Sequence, residues 1–294
     1  MCKIENRAIL LMLGASFFFA IMGGFVKELS KNMSAMEITF FRNIIGVIFI
    51  SVTLFKFPLH QTGGKPLLLL FRGVAGFFSL VAFFYILAFI PLGQAALYNK
   101  ISPIFVAIFA YIFLKEKLSN YAVFAVIVGF AGVVLVAKPQ NFIFGIYDIL
   151  GLLSGIGAAL AYTSIRELRK YYETRSITLS FMLVGSIGPV VFMGLAHLFD
   201  IKNDDFIFSQ FKAPTLFDWY MIAGVGVSAT ISQLLMTKAY SSSKAGIVGA
   251  VSYSNIIFAT MIGVILGDDM PDLLTILGII LVIISGFLVS IKPK

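Results

Sequence analysis

Lys100 is the residue with the most chemistry to explain. It lies in the run Gln94-Ala95-Ala96-Leu97-Tyr98-Asn99-Lys100-Ile101-Ser102-Pro103. That places it about six residues, or roughly 9 Å along a helix, from the end of an apolar segment. An ammonium at such a depth in hydrocarbon costs roughly 2.5–3.5 kcal/mol on insertion scales. Two readings meet that cost. The lysine stem snorkels to the interface, or the cation faces a polar cavity beside Asn99, Ser102 and Gln94. Pro103 favours the second reading, because a proline within a helix kinks it and frees a backbone carbonyl.

A second polar cluster, Ser252-Tyr253-Ser254-Asn255, sits in a later apolar run. Asn255 stands thirteen residues before Asp268, as Pro103 stands thirteen before Glu116. The clusters thus hold equivalent places in the two halves of the chain. They line a cavity or bond neighbouring helices. Gln233 and Ser232 are deep enough for a cavity wall. Arg72 and Lys238 lie near the ends of their apolar runs, as interface anchors or as ligand contacts. Arg42, about seven residues into its run, snorkels, pairs with Glu37 or contacts a ligand. Glu116 reads as a solvated cap at the water boundary.

Other chemistry is excluded by what the chain lacks. It has one cysteine, Cys2, and two distant histidines, His60 and His197. There is no His-Glu-x-x-His, no Walker loop and no Gly-x-Ser-x-Gly. No catalytic residue, metal set or cofactor is expected, and no ATP hydrolysis. Asp148, Asp218, Asp268, Asp269 and Asp272 fall near the ends of apolar runs, so none is an evident proton carrier.

The elements that hold these residues are membrane helices. Of 294 residues, 60% are hydrophobic and 12% charged, against roughly 25% charged in a soluble domain. Apolar runs predict ten spans: 8–26, 36–55, 68–90, 94–114, 121–137, 146–165, 178–199, 217–239, 245–266 and 273–291. The first has a basic start but no convincing small-residue cleavage site, so it reads as a retained helix. With the N-terminus inside, 15 of the 22 Lys and Arg residues fall in inside segments and 5 outside. That bias predicts both termini in the cytoplasm. The net charge of +8 follows from this topology and shows no clustered nucleic-acid face.

The chain also repeats itself. Lys27-Glu28-Leu29-x-Lys31, Ile38-Thr39 and Gly46 recur as Arg166-Glu167-Leu168-x-Lys170, Ile177-Thr178 and Gly185, 139 positions on. Gly132 precedes Lys138-Pro139 by six residues, and Gly286 precedes Lys292-Pro293 by six. Five spans per half is an odd number, so the second copy enters the membrane from the opposite side. The expected fold is an all-α polytopic membrane protein of ten transmembrane helices in two inverted five-helix repeats, residues 1–140 and 141–294. Inverted halves can exchange conformations, the geometric basis of alternating access.

Taken together, these residues resemble the EamA-type members of the drug/metabolite transporter superfamily. The likeness spans essentially the whole chain and rests on order and spacing. It runs through Arg72-Gly73-Val74-Ala75-Gly76, Phe84-Tyr85, Pro91-Leu92, Ala95 and Ser102-Pro103 to Leu114-Lys115-Glu116-Lys117-Leu118. The second copy departs from the pattern at Asn255, in place of Pro, and Asp268, in place of Glu. The resemblance implies a central cavity lined mainly by helices 1, 3, 4, 6, 8 and 9, with helices 5 and 10 off the path. It implies substrates such as amino acids, nucleobase-bearing compounds, vitamins and drugs, including the S-adenosylmethionine and riboflavin classes.

The expected function is secondary transport of a small polar metabolite, amino-acid-like or bearing a heterocycle, across a bacterial inner membrane. Lys100 and Arg72 attract a carboxylate or phosphate. Tyr98, Tyr253, Phe19, Tyr162 and Phe84 stack on the ligand where they face inward. Asn99, Ser102, Asn255 and Gln233 complete the expected site. The expected partners are the small-molecule substrate and the lipid bilayer, with a homodimer left open and no nucleic acid. A channel or structural subunit is the alternative. An intramembrane aspartyl enzyme fits poorly, because Asp268 sits at a span end and such chemistry needs two facing aspartates.

Overall fold

The computed structural model describes residues 2–57, 59, 61–87, 98–116, 119–137, 145–199, 211–266 and 270–290. Every regular element among them is helical. They are α1 (Cys2–Leu29), α2 (Ala35–Lys56), α3 (Pro66–Leu87), α4 (Ser102–Leu114), α5 (Asn120–Ala137), α6 (Ile146–Leu168), α7 (Thr174–Leu198), α8 (Leu216–Ser242), α9 (Ala245–Val251), α10 (Asn255–Ile265) and α11 (Leu273–Ser290). Seven apolar segments among the described residues are long enough to cross a bilayer: Asn6–Leu29, Ala35–Lys56, Pro66–Phe83, Ile146–Leu168, Thr174–Leu198, Leu216–Ser242 and Ala245–Ile265. Shorter apolar helices cover Tyr98–Leu114, Asn120–Leu135 and Leu273–Ser285. Together they occupy the places expected for the ten spans.

The bundle wears its apolar side chains outward. Phe55 is 90% exposed, Leu67 81% and Ile265 80%. Surface of that kind, repeated around the molecule, needs lipid rather than water against it.

Helix starts are fixed by their own side chains. Ser34 and Glu37 form a reciprocal capping pair at the start of α2, with Ser34 N donating to Glu37 Oε2 at 2.8 Å. Thr215 and Asp218 do the same for α8, at 2.9 Å. The orphan N–H groups of a helix start are thereby satisfied. That is why Glu37 and Asp218 are buried carboxylates and yet serve the backbone.

Two helices are broken near mid-bundle. Ser252–Ser254 form a 3-10 turn between α9 and α10. The fourth span turns at Ile101 before α4 begins. Pro103 therefore stands at the start of a helix, where its fixed φ is tolerated. The interruption at Ile101 falls two residues before Pro103, where the proline leads one to expect it.

We call the end of the bundle that holds the starts of α1, α3, α7 and α9 the near face, and the opposite end the far face. The most extensive packing joins α1 to α8, α3 to α6, α5 to α11 and α2 to α7. The duplicated residues meet at such crossings. A side-chain carbon on Gly46 would stand 2.4 Å from Met182 Sδ, and one on Gly185 2.6 Å from Asn43 Nδ2. Only glycine permits that approach of α2 to α7. Glu28 pairs with Lys31 at the far face, and its copy Glu167 pairs with Lys170 at the near face.

Candidate functional site

Between these crossings lies a cavity of about 260 Å³. Its wall takes residues from α1, α3, α6 and α8, from the fourth span around Lys100, and from the α9–α10 break. Arg42 of α2 and Phe181 of α7 complete it. Neither α5 nor α11 contributes. Their glycine-rich faces pack on each other, with Ser285 Oγ donating to Ala125 O at 2.7 Å.

Each broken helix delivers a polar group. Lys100 Nζ donates to Asn255 Oδ1 at 2.9 Å, and Asn255 Nδ2 donates to Ser16 O at 2.9 Å. The two expected clusters thus touch each other, bridging the halves of the chain. Ser102 Oγ bonds Asn99 O at 2.9 Å and steadies the turn. Asn99, Lys100, Ser102, Arg72, Tyr162, Gln233 and Asn255 all line the cavity. So does Phe19.

Tyr98 and Tyr253 do not. Consecutive helical residues point about 100° apart, and each tyrosine turns away from its cavity-lining neighbour. Tyr98 packs with Ile86 and donates its hydroxyl to Asp148. Tyr253 is fully buried against Val133 and Val282, on the α5 and α11 side. The side chain of Phe84 lies outside the described residues, as do Gln94, Lys138 and Asp268.

Sequence pattern alone underrates Arg42. Glu37 is not its partner: that carboxylate accepts from Ser34 and from Lys212 N instead. Arg42 points inward, is 4% exposed, and donates through Nε to Met22 Sδ at 3.4 Å. Arg72 is 1% exposed. The two guanidinium carbons stand 5.7 and 4.9 Å from the centroid of one ring, Phe181, and Arg72 is also 6.0 Å from that of Tyr162. Arg42 Nη1 and Arg72 Nε and Nη2 are buried with no hydrogen-bond partner. Phe181 carries no signal in the sequence, being one of 31 phenylalanines. Arg42 does carry one: it is a charge inside an apolar span, as Lys100 is.

Three cations therefore line one cavity, with no carboxylate among the described lining residues. Such a wall concentrates anions and repels cations.

A second, open cavity of about 1360 Å³ lies at the near face. Arg169, Lys170, Arg175 and Lys238 line it, with Glu173 the one carboxylate among the described lining residues. Leu234, Leu235 and Lys238 of α8 belong to this vestibule, while Gln233, Met236 and Tyr240 of the same helix belong to the central cavity. Beside the vestibule Lys65 lies 3.2 Å from Glu167 Oε1 and over the Tyr171 ring at 4.9 Å. The Glu167 hydrogen bond holds the Lys65 ammonium above the ordinary lysine range. Glu116 is part of a latch rather than a solvated cap. It accepts from Arg166 Nε at 2.6 Å and from Ala245 N at 3.1 Å, while Arg166 and Arg169 donate to Ser241 O. The latch joins the near-face ends of α4, α6, α8 and α9.

The sequence matches the EamA-like transporter family twice, over residues 6–138 and 145–291. The chain belongs to the EamA-like transporter family. This EamA-like protein is 32% identical to the pseudopaline exporter CntI of Pseudomonas aeruginosa strain UCBPP-PA14, over 98% of each chain. It is 23% identical to the S-adenosylmethionine uptake transporter of Rickettsia bellii, over 91% of this chain and 88% of that one. A solved crystal structure overlays with a TM-score of 0.79 at 16% identity, covering 96% of this chain and 98% of that one. That last likeness speaks for the fold alone. The protein is thus a multi-pass membrane transporter of the drug/metabolite type, and not an enzyme.

Proposed function

We propose that this EamA-like transporter is a secondary carrier of a small polar metabolite across a bacterial inner membrane, with both termini cytoplasmic. Residues 1–140 and 141–294 are two inverted five-helix units that alternate around the central cavity. The substrate binds there against Arg72, Lys100, Asn99, Ser102, Asn255, Gln233 and Tyr162, joined by Arg42 and Phe181. The observation that carries this reading is the Lys100–Asn255 contact inside a cavity walled by both halves. A carrier needs its site where the two moving units meet.

Other features support it. The family matches fall on two consecutive segments of similar length. The packing of α1 on α8 mirrors that of α3 on α6. The near face would be cytoplasmic by the distribution of Lys and Arg. Within the range of amino-acid-like and heterocyclic substrates, the cationic wall favours an anion. S-adenosylmethionine carries a sulfonium cation, which this wall disfavours.

A thermal-shift screen of the purified protein against a metabolite panel identifies a ligand whichever way transport runs, because binding alone stabilises the folded state. That compound is then tested in proteoliposomes. Saturable uptake, accelerated by the same compound on the opposite side, is the expected result. Linear, unsaturable flux would make the protein a channel. Absence of flux would leave it a structural subunit.

A further inference from the structure

We infer that the central cavity takes a small dianion: a metabolite with two acidic groups, or with one doubly charged phosphate. The inference rests on the reading of that cavity as the transport site, and it names the class of substrate.

Arg42, Arg72 and Lys100 bring positive charge to the cavity that no carboxylate among its described lining residues meets. Arg42 enters from the far face about seven residues along α2, and Arg72 from the near face about six residues along α3. Their Cα atoms thus lie roughly 9–11 Å along their helices. Both reach the same aromatic ring. An aromatic face compensates a cation only in part. It leaves the edge of the guanidinium free, and here the edge is unmet. Arg72 Nε and Nη2 are the two adjacent donors that grip a carboxylate or phosphate side-on, and both are buried without a partner. Arg42 Nη1 is a third such donor. Lys100 uses one of its three N–H groups on Asn255. The residues that carry these donors line one space of about 260 Å³, the share of about nine waters at roughly 30 Å³ each.

A single monoanion would leave two of the three cations uncompensated. A dianion engages the Arg72 fork and still offers charge to Arg42 and Lys100. The vestibule at the near face is biased the same way: Lys170 and Arg175 pair with Glu167 and Glu173, and Arg169 and Lys238 add further positive charge to its described lining. It would draw anions toward the cavity along α8 and would do little for a neutral heterocycle.

The test is a matched ligand series on the full chain, purified in detergent and read by thermal shift and equilibrium binding. The probes are butyrate, glutarate and tricarballylate for one, two and three carboxylates. Glycerol and glycerol 3-phosphate test the phosphate arm, with putrescine, riboflavin and S-adenosylmethionine as cationic and neutral controls. We expect stabilisation to appear at two acidic groups, or with glycerol 3-phosphate, and not with the controls. Either arm supports the dianion, and the responding arm identifies its source. The Kd for the responding probe should rise about tenfold or more, about 1.4 kcal/mol, in Arg72→Gln and again in Lys100→Met. The conservative Arg72→Lys should recover part of it.

Absence of a response in both acid series overturns the inference without recourse to any variant. If riboflavin or S-adenosylmethionine stabilises the protein instead, and Phe181→Ala abolishes that response, the dianion fails while the cavity remains the binding site. If a dianion responds but its affinity is unchanged in every cavity variant, the cavity reading itself fails.

Discussion

Replacing Arg72 by methionine should make the empty protein more stable and less able to bind. Arg72 is 1% exposed, and its Nε and Nη2 have no partner. Burial of an arginine in a membrane-spanning helix costs roughly 2.5–3.5 kcal/mol on insertion scales. The rings of Phe181 and Tyr162 return roughly 0.5–2 kcal/mol of that. Methionine fills much of the same space with a flexible apolar chain. Relief of the remainder predicts a gain of about 0.5–3 kcal/mol. At about 2–4 °C per kcal/mol, the apparent Tm should rise by roughly 1–12 °C. The assay is thermal unfolding in detergent, with and without the ligand found in the screen. The ligand-free Tm should climb while the ligand-induced shift shrinks or vanishes. Such opposed movements mark a group retained for function at a cost in stability. A fall in ligand-free stability with unaltered ligand response would show Arg72 to be a packing element, and the charge argument would be refuted.

Further variants test the account at other places. Lys100→Ala should assemble normally and lose most of its transport, because the ammonium at the meeting of the broken helices is gone; uptake at the original rate by a well-expressed variant would remove Lys100 from the site. Tyr98→Phe should lose about 1 kcal/mol of stability through its missing bond to Asp148, with ligand affinity unchanged; weakened binding would return Tyr98 to the cavity wall. Gly132→Glu should abolish assembly, since even a Cβ there would stand 2.6 Å from Gly278 O on α11; normal yield in detergent would contradict the close α5–α11 contact.

Much of this is legible in the sequence, and the reasons differ by feature. The spans are legible because a helix that crosses lipid must be apolar along its whole length. Lys100 and Asn255 stand out because a polar group inside such a run needs a partner. Their direct contact is less evident, as it joins residues 155 positions apart. Arg42 is easily misread because Glu37 is close in sequence. Only the three-dimensional arrangement shows that carboxylate committed to the start of α2 and to Lys212 N. The neighbours of Tyr98 and Tyr253 suggest a place in the cavity for both, yet one residue of helix turns a side chain onto another face. Phe181 and the near-face latch of Glu116 with Arg166 are hidden for a related reason. Their meaning depends on which helices end beside one another, and local pattern does not carry that.

The most direct measurement concerns access to the cavity from the two sides of the membrane. Cys2 is the only cysteine, so a Cys2→Ala protein carrying Ser252→Cys places a single thiol on the cavity wall. It is exposed to a membrane-impermeant thiol reagent in right-side-out and in inverted vesicles. The account predicts modification from both sides, slowed in each by the bound ligand. Modification from one side alone, whether or not ligand is present, would contradict a site that faces each side in turn.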